Sequence, residues 1–155
     1  MKRKAAYPSP EIRAVDQDSA SFFRAMADGA PVSLWMADAS GKSTFHNQAW
    51  LDFTGRARAE MGGRAWLDCV HPDDLSRCLE TYHSAFRDRR TFQMEYRMRR
   101  YDGQYRWVLD MGAPCYDDSK AFCGFAGATV DITERKEVEE RLSFANTVLT
   151  REIES

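Results

Sequence analysis

Two alternating segments joined by an Asp-Gly pair constrain the fold more than any other stretch of this chain. Residues 91–116, TFQMEYRMRRYDGQYRWVLDMGAPCY, hold Asp102 and Gly103 between runs of period-two apolar residues. That pattern is typical of a hairpin with a two-residue type I′ turn. Such a turn places Tyr101 opposite Gln104 and fixes the register of both strands. One face is then expected to be apolar, with Met94 opposite Met111, Tyr96 opposite Leu109, and Met98 opposite Trp107.

The other face of this hairpin is expected to pair like charges, with Arg99 opposite Arg106 and Glu95 opposite Asp110. Like charges directly opposite each other destabilise a strand pair, so each pair should have an outside partner. Counting through the following turn brings Asp131 beside Arg106. We therefore predict an ion pair between Asp131 and Arg106.

The remaining patterns predict an α+β domain. Residues 1–17 lack an apolar period and are expected to form a flexible leader. A short amphipathic helix should begin at Asp18 or Ser19, and a hairpin should follow over 32–47. Asn47 is placed to cap a short helix. A long helix after Pro72, three antiparallel strands and a final helix complete the order, which gives five strands.

The last strand continues into the final helix without a Gly or Pro between them. Apolar residues then recur at Val138, Leu142, Ala145 and Leu149, the four-three-four spacing of a coiled-coil seam. We therefore expect a homodimer through the terminal helices. The first helix would add its own apolar face of Phe22, Phe23 and Met26.

The totals exclude several classes of function. A chain of 155 residues suits one domain with short extensions, and a net charge of −2 gives no general attraction to nucleic acid. No stretch is apolar enough for a signal peptide or a membrane span, so the expected compartment is the cytoplasm. The cysteines form no C-x-x-C pair and no zinc spacing, and buried reduced thiols are expected. They are Cys69, Cys78, Cys115 and Cys123.

Metal and nucleophile chemistry finds little support in the pattern. His71, Asp73 and Asp74 could be imagined as a metal cluster, but their place before a helical stripe favours capping carboxylates at a helix N-terminus. His46 and His83 could approach a cysteine in three dimensions, yet no oxyanion-hole signature accompanies them. An enzyme with a cysteine or histidine site is therefore a distant third interpretation.

Four segments, in this order, resemble the PAS sensor-domain family: DASGKSTFHNQAWLDFTG, VHPDD, RRYDGQYRWVLDMGAP and GFAGATVDITERK. The resemblance runs from about Phe22 to Lys136. It implies a five-stranded antiparallel sheet with helices over one face and a pocket between them. It also implies sensing without catalysis inside a larger bacterial-type signalling protein, with a sensor domain at 18–133 and a signalling helix at 134–155. The covalently linked module would be a second sensor domain, a histidine kinase or a diguanylate cyclase.

Resemblance to cofactor-binding members does not extend to their reactive residues. Light-sensing members use a cysteine in GxNCRFLQ, and the similar stretch GGRAWLDCV places Trp66 at that position, with Cys69 three residues later. In haem-binding members the axial histidine lies on the long helix, where Leu79 is nearer the ligand position than His83. Flavin and haem are thus disfavoured, and the cofactor is unknown; a small organic ligand is left open.

Two interpretations of function remain. The first is an input domain that binds a small molecule in an apolar pocket and relays its state through the final helix to an effector. The second is a ligand-free dimerisation and relay module. Under either interpretation, space beside the core is expected next to the small residues Gly124, Ala126 and Ala128. The predicted pocket residues are Trp50, Phe53, Trp66, Met94, Tyr96, Leu109 and Met111, and the predicted relay residues are Arg106, Asp131, Ile132 and Thr133.

Overall fold

A computed structural model describes residues 12–154 as one five-stranded antiparallel sheet with four α-helices, which confirms the predicted fold class. The strands are β1 (Ser33–Ala37), β2 (Ser43–His46), β3 (Phe92–Arg99), β4 (Tyr105–Tyr116) and β5 (Phe122–Asp131), in the order β2-β1-β5-β4-β3. The helices are α1 (Ile12–Gly29), α2 (Gln48–Thr54), α3 (Pro72–Asp88) and α4 (Thr133–Glu154), with 3₁₀ helices at Arg58–Glu60 and Ala65–Cys69.

The core lies between one face of the sheet and α2, α3 and the second 3₁₀ helix. We call this the inner face of the sheet, and its opposite the outer face. Burial along β3 alternates with period two, as expected of a strand with one covered face. At the centre of the inner face, Tyr96 of β3 and Val108 of β4 are each 1% exposed. The site described below is built on this inner face.

The first helix begins earlier than predicted. It starts at Ile12 rather than at Asp18 or Ser19, so residues 12–17 of the expected leader are helical. The physical reason is visible in the sequence, because Ile12 and Val15 continue the helical period of the later apolar residues with no Gly or Pro between them. Residues 1–11 lie outside the described part of the chain.

Asn47 joins three elements and confirms its predicted role as a cap. Its Oδ1 accepts hydrogen bonds from Trp50 N (3.2 Å) at the start of α2 and from Leu34 N (2.8 Å). Its Nδ2 donates to the carbonyls of Ala27 (2.7 Å) and Val32 (2.8 Å). Because the side chain is fully buried, these bonds fix α1, β1 and α2 to one another.

The register predicted for the β3–β4 hairpin is wrong by one residue. Arg100 N donates to Gln104 O (2.7 Å), and Gly103, with φ 82°, ends a three-residue loop instead of a two-residue turn. Such loops combine a type I turn with a left-handed residue. Every pair shifts accordingly, to Met98 with Arg106, Tyr96 with Val108, and Met94 with Asp110.

Because of this shift, the side chains of β4 point to the opposite faces from those expected. Leu109 and Met111 lie on the outer face, and the expected pairs of like charges do not form, since Glu95 faces Leu109. The volume expected beside Ala126 and Ala128 is also absent from the inner face. Those residues face outward, and the space over the inner-facing glycines, Gly112 and Gly127, is filled by Phe92 and Trp35.

Candidate functional site

A small cavity, which we call the chamber, lies between the inner face of the sheet and the helices. Its volume is about 20 Å³, enough for about one water molecule. Five aromatic rings surround it together with four other side chains. The lining residues are Trp35, Ser43, His46, Trp50, Trp66, Tyr82, Tyr96, Met98 and Asp110.

Asp110 is a buried carboxylate in the wall of the chamber. It accepts hydrogen bonds from Trp35 Nε1 (2.7 Å), Tyr96 OH (2.9 Å) and Thr129 Oγ1 (3.3 Å). Burial raises the pKa of Asp110 to about 6, although these hydrogen bonds favour the ionised form. The carboxylate therefore organises three donors that would otherwise be buried without an acceptor.

His46 is one of the polar residues of the chamber wall that remain available to a ligand. It is 4% exposed, and its ring lies 4.2 Å from that of Trp50. Among the residues whose side chains the structure describes, 19–154, neither its imidazole nor the hydroxyl of Ser43 has a hydrogen-bond partner. Burial, reinforced by the charge of Arg58, lowers the pKa of His46 to about 4. At neutral pH the neutral imidazole thus offers one donor and one acceptor to the chamber.

A second cavity of about 230 Å³, the vestibule, opens to solvent beside the chamber. Trp66 and Tyr82 line both cavities, and their ring centroids are 5.3 Å apart, so these two rings separate chamber from vestibule. Tyr82 OH donates to Gly41 O (2.9 Å) and holds the β1–β2 turn against α3. Arg64 and Arg87 contribute positive charge to the vestibule wall.

The structure brings together three of the seven predicted pocket residues. Trp50, Trp66 and Tyr96 line the chamber. Phe53 packs against the core and Met94 is buried on the inner face, but neither lines the chamber. The expectation for Leu109 and Met111 was wrong, because the one-residue register shift turns both to the outer face.

Six lining residues were missed: Trp35, Ser43, His46, Tyr82, Met98 and Asp110. For Asp110 a sequence signal exists. It is an acid in an apolar strand, and a three-residue loop at Gly103 would have turned it inward. His46 has no comparable signal, since its burial depends on the pairing of β2 with β1.

The predicted ion pair between Arg106 and Asp131 is confirmed at the junction between β5 and α4. Arg106 Nε donates to Asp131 Oδ2 (2.8 Å), while Asp131 Oδ1 accepts from Thr133 N (2.9 Å). Burial opposes ionisation of Asp131, but the bonds from Thr133 and Arg106 outweigh it and lower its pKa. Ile132 is 8% exposed, its N donates to Trp107 O (2.8 Å), and Thr133 Oγ1 accepts from Trp107 N (3.0 Å).

The first turn of α4 is held against the outer face. Glu95 of β3 pairs with both Arg135 and Lys136, and the bond from Lys136 is the main cause of its lowered pKa. Lys136 Nζ also lies 4.8 Å from the centroid of the Trp107 ring. Arg97 lies over the same ring at 5.3 Å. From Glu137 to Glu154, by contrast, every residue of α4 is exposed.

Arg97 also connects this junction to α3. Asp74, near the N-terminus of α3, accepts bonds from Arg97 N (2.8 Å), Nε (3.0 Å) and Nη2 (2.8 Å). The side-chain bonds from Arg97 are the main reason why the pKa of Asp74 falls to about 2. Because Tyr82 of the chamber wall also lies on α3, this helix is connected both to the chamber and, through Arg97, to the junction between β5 and α4.

His71 caps α3 with its ring, which corrects the expectation of capping carboxylates. His71 Nδ1 accepts from Asp73 N (3.1 Å), while Asp74 bonds to Arg97 instead. Across residues 12–154, no group of three potential ligands is placed to hold a metal ion. No helix in the same range is both long and apolar enough to cross a bilayer.

The expectation of four buried thiols is wrong for two of them. Cys69 and Cys78 are buried, whereas Cys115 is half-buried and Cys123 is exposed. All four are free thiols. Burial of the first two follows from their places on the helices that cover the inner face. Cys115 and Cys123 lie on β4 and β5.

Comparison with known proteins agrees with this architecture. A family model described as PAS fold matches residues 43–129. The "Uncharacterized protein y4lL" of Sinorhizobium fredii is 39% identical over 124 residues, which cover 80% of this chain and 15% of that protein. The peroxide stress-activated histidine kinase mak1 of Schizosaccharomyces pombe is 27% identical over 143 residues, covering 86% of this chain and 9% of the kinase.

A solved structure of a sensory box histidine kinase/response regulator from Burkholderia thailandensis superimposes with a TM-score of 0.64 at 25% identity, covering 83% of this chain and 98% of that one. The chain spans less than a fifth of the length of the two relatives above. The matched family model covers more than half of the chain and includes every lining residue of the chamber except Trp35 of β1. The chain therefore belongs to the PAS fold family, as a sensor domain homologous to those of sensor histidine kinases.

Proposed function

We propose that this chain is the sensory input domain of a larger signalling protein, in which it binds a small molecule and relays its bound state through α4 to an effector. One observation carries the proposal: alternate residues of one strand serve the chamber and the helix junction. Tyr96 lines the chamber, while its neighbours Glu95 and Arg97 contact the first turn of α4 and the Trp107 ring. A movement of Tyr96 in the chamber can therefore reach the junction through the residues next to it in β3.

The chamber and the vestibule together favour a neutral ligand. An anion would lie beside the buried carboxylate of Asp110, and a cation would first pass Arg64 and Arg87. The side chains of His46 and Ser43, which have no hydrogen-bond partner among the described residues, can each donate and accept a hydrogen bond. We therefore propose a small planar molecule with a hydroxyl or amide group, whose ring enters from the vestibule and enlarges the chamber as Trp66 and Tyr82 separate.

Three probes of similar size test this charge preference: benzyl alcohol, benzoate and benzylammonium. We expect the neutral alcohol to bind about tenfold more tightly than either ion, as measured by calorimetry and tryptophan fluorescence. His46→Phe should weaken the alcohol by about five- to tenfold, the value of one hydrogen bond. His83→Phe, at the vestibule rim, is the matched control and should have little effect. Tighter binding of benzoate or benzylammonium would contradict the proposed ligand class.

The exposed seam of α4 supports a homodimer as the unit that carries the signal. Val138, Leu142 and Leu149 are 51%, 60% and 55% exposed, although they have coiled-coil spacing. In sedimentation experiments, Leu142→Glu with Leu149→Glu should therefore shift the chain towards monomer. A matched change on the solvated face, Glu140→Lys, should not. Equal dimer content in all three proteins would contradict the proposed dimer.

The relay itself is proposed to depend on the rotational phase of α4. Each inserted residue turns a helix by roughly 100°, and seven restore a coiled-coil register. Insertions of one to seven residues after Lys136 in the full-length protein should therefore change effector output periodically. The proposed effector is a histidine kinase, a diguanylate cyclase or a second sensor domain. An output that ignores insertion length would show that α4 is only a tether.

The small chamber volume favours one alternative, a ligand-free dimerisation and relay module. In the described conformation the chamber holds about one water molecule. Native mass spectrometry and an absorption spectrum of the purified chain separate the two functions. Extra mass that is lost in His46→Phe supports the ligand-binding domain, whereas a bare, colourless chain that also binds none of the three probes supports the alternative.

A further inference from the structure

Two cysteines lie side by side where β4 and β5 pair through a bulge. Cys115 is paired with Gly124, and the next pair along is Tyr116 with Phe122. Cys123 is therefore the extra residue of the bulge. In a β-bulge two residues of one strand face a single residue of the other. Cys123 and Gly124 thus both face Cys115.

Both thiols lie on the outer face of the sheet. The rings of Phe122 and Phe125 are 5.9 Å apart, and both contact Phe86 of α3, so both point to the inner face. The two residues between them, including Cys123, are left on the outer face. Cys115 lies there as well, because the residue before it pairs with the inner-facing Phe125.

The distance between these positions suits a disulfide. Residues that face each other on antiparallel strands have Cα atoms about 4.5–5.5 Å apart, and disulfides join Cα atoms about 4.4–6.8 Å apart. Gly124 places no side chain between the two sulfurs. Cys115 is half-buried and Cys123 is exposed, so a small oxidant can reach both.

The other two thiols provide an internal contrast. Cys69 and Cys78 are 1% and 0% exposed. Burial raises the pKa of both thiols, that of Cys78 to about 11. Since the thiolate is the form that reacts with oxidants, these two should remain reduced while the exposed thiols react.

We propose that Cys115 and Cys123 form a reversible intramolecular disulfide on reaction with a hydroperoxide. The Cys123 sulfur attacks one peroxide oxygen, the O–O bond breaks, and a sulfenic acid forms with release of water when the oxidant is hydrogen peroxide. The Cys115 sulfur then attacks the sulfenic sulfur, the S–O bond breaks, and a second water leaves as the S–S bond forms. The two thiols together lose two electrons, which reduce the peroxide, and a dithiol reductant reverses the reaction.

This modification site is separate from the chamber and from the helix junction. It lies at the end of the β4–β5 pair opposite to the end from which α4 begins. A disulfide there would join the two longest strands of the sheet. The domain would then have a thiol-based input that does not need a ligand in the chamber.

The test uses hydrogen peroxide on the folded, unsubstituted chain of residues 1–155, followed by alkylation, trypsin digestion and mass spectrometry. Because Lys120 lies between the two cysteines, they fall in different tryptic peptides. We expect the intact chain to lose two hydrogen atoms and the digest to contain one cross-linked peptide pair that dithiothreitol separates. The variant Cys69→Ala with Cys78→Ala should retain the cross-link. Cys123→Ser should lose it and should oxidise at Cys115 to sulfinic acid.

Two results would overturn the proposal. One is oxidation of Cys115 and Cys123 to separate sulfinic acids, or to disulfides between chains, without the intramolecular cross-link. The other is that both thiols remain unmodified under conditions that oxidise a short peptide with the sequence of residues 107–120.

Discussion

The two faces of the sheet differ in how they use polar residues. On the inner face, Asp110 and His46 are at most 5% exposed, and three donors hold the carboxylate of Asp110. On the outer face, the side chains of Lys136 and Glu95 are 25% and 33% exposed, and their ion pair is in contact with solvent. The inner polar groups should therefore dominate the stability of the domain, and the outer ones should orient α4.

The same strands build both faces, and this teaches how the domain can join a buried site to an exposed helix. Side chains alternate along β3, so Tyr96 reaches Asp110 inside while Glu95 reaches Lys136 outside. Similarly, Trp107 of β4 contacts the junction while its neighbour Val108 is buried in the core. A shift of either strand would therefore move side chains on both faces of the sheet.

The largest expected effect is the loss of the carboxylate on the inner face. Asp110→Ala would leave Trp35 Nε1 and Tyr96 OH buried without an acceptor and would create a cavity. We expect the free energy of unfolding to fall by about 3–5 kcal/mol, as measured by urea denaturation. Asp110→Asn keeps one acceptor and should cost less. A loss below about 1 kcal/mol for the alanine variant would contradict the difference between the faces.

A second effect concerns pH, because Asp110 and His46 should act in opposite directions. Burial raises the pKa of Asp110 from 3.8 to about 6, so its contribution is present below pH 3.8 and is lost as pH rises through 6. Burial lowers the pKa of His46 from 6.5 to about 4, so its contribution is present above pH 6.5 and is lost as pH falls through 4. At about 1.4 kcal/mol per pKa unit, each amounts to about 3 kcal/mol.

In the unchanged chain these two dependences should nearly cancel between about pH 4 and 6.5. Single variants would separate them. With His46→Phe the free energy of unfolding should fall as pH rises, and with Asp110→Asn it should rise. Urea denaturation across this range measures both slopes. Slopes of the same sign in the two variants would mean that the buried groups do not titrate as described.

The smallest expected effect lies at the exposed junction between β5 and α4. Asp131→Asn removes the charge that pairs with Arg106 and keeps an acceptor for Thr133. Because the pair is partly exposed, the free energy of unfolding should fall by about 1 kcal/mol or less. Output of the full-length protein should nevertheless change, because the start of α4 loses its orientation. If both stability and output stay unchanged, Asp131 has no role in the junction.

Local patterns predicted much of the fold. Helix caps such as Asn47 and the order of the elements follow from residues close in sequence. The pair of Arg106 with Asp131 also forms, although strand counting misplaced its register, since Asp131 pairs with Val108 and reaches Arg106 diagonally. The chamber was harder, because its lining depends on register. Asp102 and Gly103 fit both a two-residue turn and a three-residue loop, and only the loop turns Asp110 inward. His46 depends on contacts between distant elements, which no local pattern encodes.

The coupling between the two faces can be measured most directly by hydrogen exchange at the amides of Trp107 and Ile132, which bond across the junction. Tyr96→Phe removes one donor to Asp110 inside the chamber, and Tyr101→Phe makes the same chemical change at the exposed hairpin tip. We expect Tyr96→Phe to speed exchange at both junction amides by about threefold or more, and Tyr101→Phe to leave them unchanged. Altered exchange around Asp110 with an unaltered junction would contradict the proposed relay.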